Sequence, residues 1–391
     1  MAEFKFKLLR SMGEIERAAW LRLYGRETEG FDYFAACEKA PTPGFSYSAL
    51  AVFDGDRLVA GSPVFYTSFD PALVLEGVAH SAFTLAARAL PSLAKLPIVG
   101  LGTPHSQETA LAFDATLTAP ERTAVLATMV KGIEHAAIET DARIILFKDV
   151  GEDFTCWGDD TIKRMGYARA TGLPVAILKI PESEDAYIKG LSGNMRSNLR
   201  RRLKRAKDIR VEIRTSAKGL AGQLHNLRAT TMARAAVDYA QFAETSTDFY
   251  DIIMNEMPDN ARILTYWLGD TLIGFTMVIL GPDKLVQNYN GMCYPEGPDH
   301  GLFYLDWMTQ VRLCLEHGIP EMQSGVTTYL IKSRLGCELH RCYLYIRHRH
   351  SIFNSLVSLV APTLNLELSD PGLKELGASA PFAACQTVPG E

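Results

Sequence analysis

The 391-residue sequence predicts a mixed α/β fold of two similar units in tandem. Three observations predict it. Two strand hairpins turn through Gly and Asp. Each is followed, in the same order, by a helix, a strand, a short helix ending in a hydrophobic-Gly pair, and a strand. The second unit is also opened by a cationic helix that feeds a strand. One such hairpin would mean little, but two in the same context mark a repeat.

The elements are justified in chain order. Residues 47–66, YSALAVFDGDRLVAGSPVFY, read as a strand, a tight turn at Asp54-Gly55 and a second strand. The apolar segment 76–103 is long enough to line an acyl channel. A helix is expected over 120–137. Residues 143–179 give a strand (RIILFKDV), a polar segment, a helix (DDTIKRMG) and a strand (YARATGLPVAILK). The second hairpin, 262–280, turns at Gly269-Asp270, and QNYNG follows as a strand. A helix over 301–317 stops at Gly318. Residues 320–346 give a strand (PEMQSG), a helix (TTYLIKSRLG) and a strand (CELHRCYLYI). Gly166 and Gly336 each follow a basic-hydrophobic pair and suit a left-handed helix cap. The expected domains are 1–180, 181–346 and a tail, 347–391.

Residues 191–213, LSGNMRSNLRRRLKRAKDIRVEI, stand apart. Eight Lys/Arg and one acid, Asp208, lie between Arg196 and Arg210, although the chain carries 40 Lys+Arg against 45 Asp+Glu. Leu191, Met195, Leu199 and Leu203 recur every four residues, an apolar seam with arginines around it. Such a helix suits an anionic ligand: coenzyme A phosphates, an acidic carrier protein, RNA or a membrane surface. The other reading is a solvated face.

Composition bounds the rest. With 47% hydrophobic and 22% charged residues the chain reads as globular. No run of 18 apolar residues predicts a membrane span, and MAEFKFKLLRSMGEIERAAW lacks the apolar core of a signal peptide. Seven scattered cysteines fit reduced thiols of a cytosolic protein. No metal site is expected.

The chain resembles the GNAT (Gcn5-related N-acetyltransferase) superfamily. A tandem pair resembles the Fem-type peptidyltransferases and related bacterial N-acyltransferases. Three segments carry the resemblance: LSGNMRSNLRRRLKRAKDIRVEI, HGLFYLDWMTQVRLCLEHGI and SGVTTYLIKSRLGCEL. It is firm over 185–345 and looser over 15–180, where VGLGTPHSQETALAF is similar to the family's cleft segment. The glycine-rich pyrophosphate loop of simple GNAT enzymes is missing before both long helices. The basic helix is a candidate replacement.

The resemblance implies transfer of an acyl group to an amine. That chemistry needs a neutral amine, a stabilised oxyanion and a protonated leaving group. Lys332 stands four residues before Gly336, where simple GNAT enzymes often carry a Tyr and Fem-like relatives a Lys. It is read as a phosphate anchor, an oxyanion stabiliser or a surface lysine. The first unit has Ile162 there. Tyr329 shares a helix face with Lys332 and is read as a donor or a core residue. His105, Ser106 and Glu108 sit on the loop GLGTPHSQE; His105 or Glu108 could take the amine proton, and Ser106 could bind substrate. Asn288 and Asn290 could orient an acceptor. Asp306 is a base or a surface carboxylate. His300, Arg196, Arg200 and Arg201 complete the binding candidates.

The expected activity is N-acyl transfer from acyl-CoA or acyl carrier protein to a primary amine, with no permanently bound cofactor. A long-chain amine such as a sphingoid base is one concrete acceptor. The alternatives are an aminoacyl-tRNA-dependent Fem-type transferase and a non-catalytic GNAT pair binding membrane or nucleic acid. DNA is not an expected partner, and few aromatics interleave with the arginines. The expected location is cytoplasmic, with peripheral contact to an anionic inner membrane through SIFNSLVSLVAPTLNLEL, 351–368. That segment could instead cap an acyl channel or dock on the core.

Overall fold

A computed structural model describes residues 3–25, 27–69, 95–109, 111–234 and 245–383. Most of the apolar segment 76–103 lies outside them. Among the described residues, fifteen strands run in chain order: β1 Phe4–Leu9, β2 Ser46–Asp54, β3 Arg57–Phe69, β4 Leu96–Leu101, β5 Ala112–Phe113, β6 Ile144–Gly151, β7 Ala168–Thr171, β8 Val175–Lys179, β9 Ile209–Arg214, β10 Ala261–Leu268, β11 Thr271–Leu280, β12 Lys284–Met292, β13 Glu321–Gln323, β14 Glu338–His340 and β15 Cys342–His348.

They form two mixed sheets. The first runs β1-β2-β3-β4-β6-β15-β7, with β5 against β3; the second runs β14-β8-β13-β12-β11-β10-β9. Each sheet has one parallel contact at its centre, β4 with β6 and β12 with β13. The two-unit reading therefore holds. The first hairpin turns at Gly55-Asp56 rather than Asp54-Gly55, because Asp54 pairs with Arg57. Gly55 takes the left-handed φ of +59° that such a turn demands.

The sequence segments read as single last strands are each two strands, and the two units exchange the second of each pair. β7 stays in the first sheet while β8 enters the second. β14 stays in the second sheet while β15 enters the first, between β6 and β7. Pro174, just before β8, cannot donate to a ladder and marks the break. The chains cross at Gly172, whose N–H donates to the Cys342 carbonyl at 2.8 Å. A Cβ on Gly172 would stand 3.0 Å from that oxygen, so only Gly fits without movement.

The long helix Ala119–Glu139 starts at a Thr118/Glu121 capping box and packs Val125, Met129 and Ile133 onto the first sheet. The helix Gly193–Arg205 buries Met195 and Leu199 and half-buries Leu203, with Leu191 buried just before it, so the expected seam faces the helix Leu302–His317 on the second sheet. Four helices absent from the sequence reading, Arg17–Tyr24, Phe31–Lys39, Ala221–Met232 and Phe249–Glu256, carry a third core. There Trp20, Tyr33, Leu227, Phe249 and Tyr289 join the halves.

Candidate active site

A cavity of about 710 Å³ opens where β12 and β13 part. The two strands pair only over Lys284–Val286 and Glu321–Gln323. Beyond that, Gln287–Met292 diverges from Ser324–Thr328, and both line the cavity. A β-bulge at Asn288, between the Met277–Tyr289 and Val278–Gln287 pairs, opens the ladder on the other side. The helix Leu302–His317 adds Leu302, Phe303, Asp306 and Trp307 to the wall; Arg228 and Arg234 come from the other side. Gln107 reaches in from the first half, and Asp370–Gly372 of the tail closes the rim.

Asp306 is the chemically distinctive group. The Tyr266 hydroxyl donates to its Oδ1 at 2.7 Å and the Gln310 amide to its Oδ2 at 2.9 Å. Burial pushes its carboxyl up to about 6, outweighing the hydrogen bonds of Tyr266, Thr276 and Gln310. Such a carboxylate is ionised at neutral pH yet basic enough to take a proton.

Lys332 lines the same cavity but is neither exposed nor free. Its Nζ donates to the carbonyls of Ser324 at 2.6 Å, Gly325 at 3.0 Å and Val326 at 3.4 Å. It ties down the loop after β13, where Thr327 and Thr328 take φ of +77° and +52°. Burial pulls its ammonium down to about 8. The surface-lysine reading is thereby corrected. Tyr329 is fully buried and donates to the Pro174 carbonyl at 2.8 Å, so it packs in the core rather than lining the cavity.

The GLGTPHSQE loop contributes Gln107 to this cavity rather than His105. Gln107 donates to the Gln287 carbonyl at 3.0 Å and accepts from the Gln323 amide at 3.2 Å. His105 is buried at the seam between the halves. Its Nδ1 meets the Tyr289 hydroxyl at 2.5 Å, and its Nε2 meets Thr42 Oγ1 at 2.7 Å and the Tyr47 hydroxyl at 3.2 Å. Burial holds it neutral, down at about 3, and no ring nitrogen is left to receive an amine proton. Ser106 is buried too, donating to the Glu108 carbonyl at 2.9 Å. Glu108 pairs with Lys284 at 3.2 Å and lines a different cavity.

Asn288 and Asn290 both line the Asp306 cavity. The Asn288 amide donates to Glu29 at 2.7 Å and to the Tyr33 hydroxyl at 2.8 Å; the Asn290 carbonyl accepts from Arg228 at 3.5 Å. His300, its Nδ1 3.0 Å from the Glu296 carbonyl, lies off the cavity wall. So do Arg196, Arg200 and Arg201; the last donates to Asn198 at 2.9 Å. The basic helix instead meets the start of the helix Leu302–His317. A Cβ on Gly301 would stand 2.7 Å from the Arg202 carbonyl, and Asn198 donates to the Tyr304 hydroxyl at 2.9 Å. Where a glycine-rich phosphate loop would lie, this chain has packed backbone.

Residues 193–329 match the acetyltransferase (GNAT) domain family. No curated protein matches the chain by sequence. In fold the chain is similar to FemX, at 11% identity and a TM-score of 0.53, over 83% of this chain and 97% of that one. It is also similar to a tandem GNAT protein from the clavulanic acid biosynthesis pathway, at 13% identity and a TM-score of 0.52, over 89% and 99%. Residues 193–329 are thus matched as a GNAT domain, and the whole chain has the fold of tandem GNAT proteins.

The Asp306 cavity belongs to the second GNAT unit, within the matched residues except for Gln107, Lys332 and a few of their neighbours. Among the described residues no cluster of His, Cys, Asp or Glu could hold a metal, and no helix is long and apolar enough to cross a membrane. Sequence reasoning missed Gln107, Arg228, Tyr266 and Gln310. Tyr266 reads only as a core strand residue, and the two glutamines carry no local signal.

Proposed function

We propose that this tandem GNAT protein transfers an acyl group from a thioester, on coenzyme A or a carrier protein, to a primary amine in the Asp306 cavity. The observation that carries the proposal is the half-buried carboxyl of Asp306, its basicity raised by desolvation, in a largely apolar cavity at the parting of two parallel strands. In the reaction the amine nitrogen attacks the thioester carbonyl carbon. The N–C bond forms, Asp306 takes the amine proton, and the C–S bond breaks. The thiolate then picks up a proton; with a pKa near 8.5 a thiol leaves without a strong acid. Met292, Phe303, Val326 and Ile331 on the wall suit an acyl chain, and Arg228, Arg234 and Arg334 suit a phosphorylated donor.

A long-chain participant is further supported by the tail. The helix Ser351–Val360 buries no residue; Ile352 is 82% exposed and Leu359 72%. Ile352, Phe353, Leu356, Leu359 and Val360 form an apolar face that suits the surface of a membrane. The test is thiol release from acyl-CoA of graded chain length with primary amines. Release with wild type and its loss in Asp306→Asn support the reading. Transfer from aminoacyl-tRNA but from no thioester would select the Fem-type alternative, and no transfer at all a binding protein.

A further inference from the structure

A second cavity, of about 620 Å³, lies in the first GNAT unit against β5, β6 and the start of β12. Among the described residues its wall carries five carboxylates and two cations. The cations are engaged: Lys284 with Glu108 at 3.2 Å, and Arg122 over the Trp157 ring at 5.3 Å. Asp114 is held by Arg57 at 3.5 Å. Among the described residues, no Lys or Arg closes an ion pair with Glu27 or Glu29. Burial raises both carboxyls, Glu29 to about 8.

A second observation concerns the wall itself. Gln323 is 1% exposed and lines this cavity, and its Oε1 has no hydrogen-bond partner. Its orientation follows from its neighbours. Gln107 must donate to the Gln287 carbonyl, so its oxygen faces Gln323, which must present its amide there. The Gln323 oxygen is therefore a spare acceptor. A buried unpaired acceptor beside unpaired carboxylates asks for a donor-only cation.

The pair Gln107–Gln323 is also the partition between the cavities, since Gln107 lines the Asp306 cavity and Gln323 the acidic one. Asn288 likewise lines the former and donates to Glu29, on the wall of the latter. We propose that the acidic cavity binds a primary ammonium group distinct from the nitrogen that reacts at Asp306, with Glu27, Glu29 and the Gln323 oxygen receiving its three N–H donors. The site does not rest on the N-acyl transfer proposed above.

The probe is n-hexylamine, with n-hexanol and hexyltrimethylammonium as controls, titrated calorimetrically into the whole chain without donor. Hexylamine should bind and neither control should match it. Glu29→Gln, and separately Glu27→Gln in case the first folds poorly, should weaken it about tenfold or more, the usual scale for a charge-assisted hydrogen bond. Asp306→Asn should leave that binding unchanged. Equal affinity in both glutamine variants, no binding to wild type, or loss on Asp306→Asn overturns the proposal. Hexylamine binding without thiol release from any acyl-CoA would instead sink the transferase reading and leave the ammonium site standing.

Discussion

Replacing Asp306 by Asn separates chemistry from packing. The variant keeps shape and removes the base. General bases contribute roughly 10²–10⁴-fold, so kcat should fall by about that factor. Stability should move the other way. The folded value of about 6 lies above the ordinary 3.8, so the folded state holds the extra proton between them. Stability therefore falls as pH climbs from about 4 through 6, and at neutral pH the ionised carboxylate costs its full amount. Two units at 1.36 kcal/mol set a ceiling on the order of 3 kcal/mol. Part is lost in the variant because Tyr266 and Gln310 each lose a charged acceptor. The melting temperature at pH 7.5 should stay level or rise. In wild type, kcat/KM should drop about tenfold between pH 7 and 5, as the base becomes protonated. Thiol release followed against pH, with a thermal melt of each protein, gives all three quantities. A kcat within threefold of wild type, or a melting temperature several degrees lower, refutes Asp306 as the base.

Lys332→Met should lower the melting temperature by several degrees, because three buried carbonyls lose their donor; an unchanged melt would show the loop holds without it. Reversing Arg234 and Arg334 to Glu should weaken binding of a phosphate-bearing donor at low salt and much less at 0.15 M, where screening sets in beyond about 8 Å; equal affinity at low salt removes these arginines from the donor site. Ile352→Glu with Leu356→Glu should leave the melt unchanged, since both side chains are exposed, and abolish sedimentation with vesicles containing anionic lipid; sedimentation equal to wild type removes the membrane contact.

The repeat was legible because hairpins, helix stops and the apolar seam are local signals. Gly269, Gly318 and Gly336 announce their turns and caps, and all three take left-handed φ. The strand exchange was not legible. Residues 167–179 and 337–346 each read as one long strand, and nothing local says that a strand will leave its own sheet. Pro174 was the available clue. The site was half legible for the same reason. Lys332 was found by its place in the repeat, and Asp306 by its place early on the helix after His300, where it read as a base or a surface carboxylate. The burial that gives Asp306 its basicity comes from residues distant in sequence, such as Tyr266, while the carbonyls that cage Lys332 lie on the loop just before its helix, whose course no local signal gives. His105 misled because a histidine on a Gly/Pro loop reads as exposed, whereas the helix Phe249–Glu256 packs Phe249 4.8 Å from its ring.

The exchange also explains why the two cavities share walls. β8 stands beside β13 in the second sheet and β15 beside β6 in the first, so each parting of parallel strands is braced by the other unit's last strand. The first unit's loop is then drawn close enough for Gln107 to reach β12, and β13 close enough for Gln323 to face the acidic cavity. A chain cut near residue 180 would leave the first sheet without β15 and strip β8 from the second. Neither cavity would keep its wall. The crossing at Gly172 and Cys342, where a backbone hydrogen bond and the close approach leave no room for a side chain, fixes that shared wall.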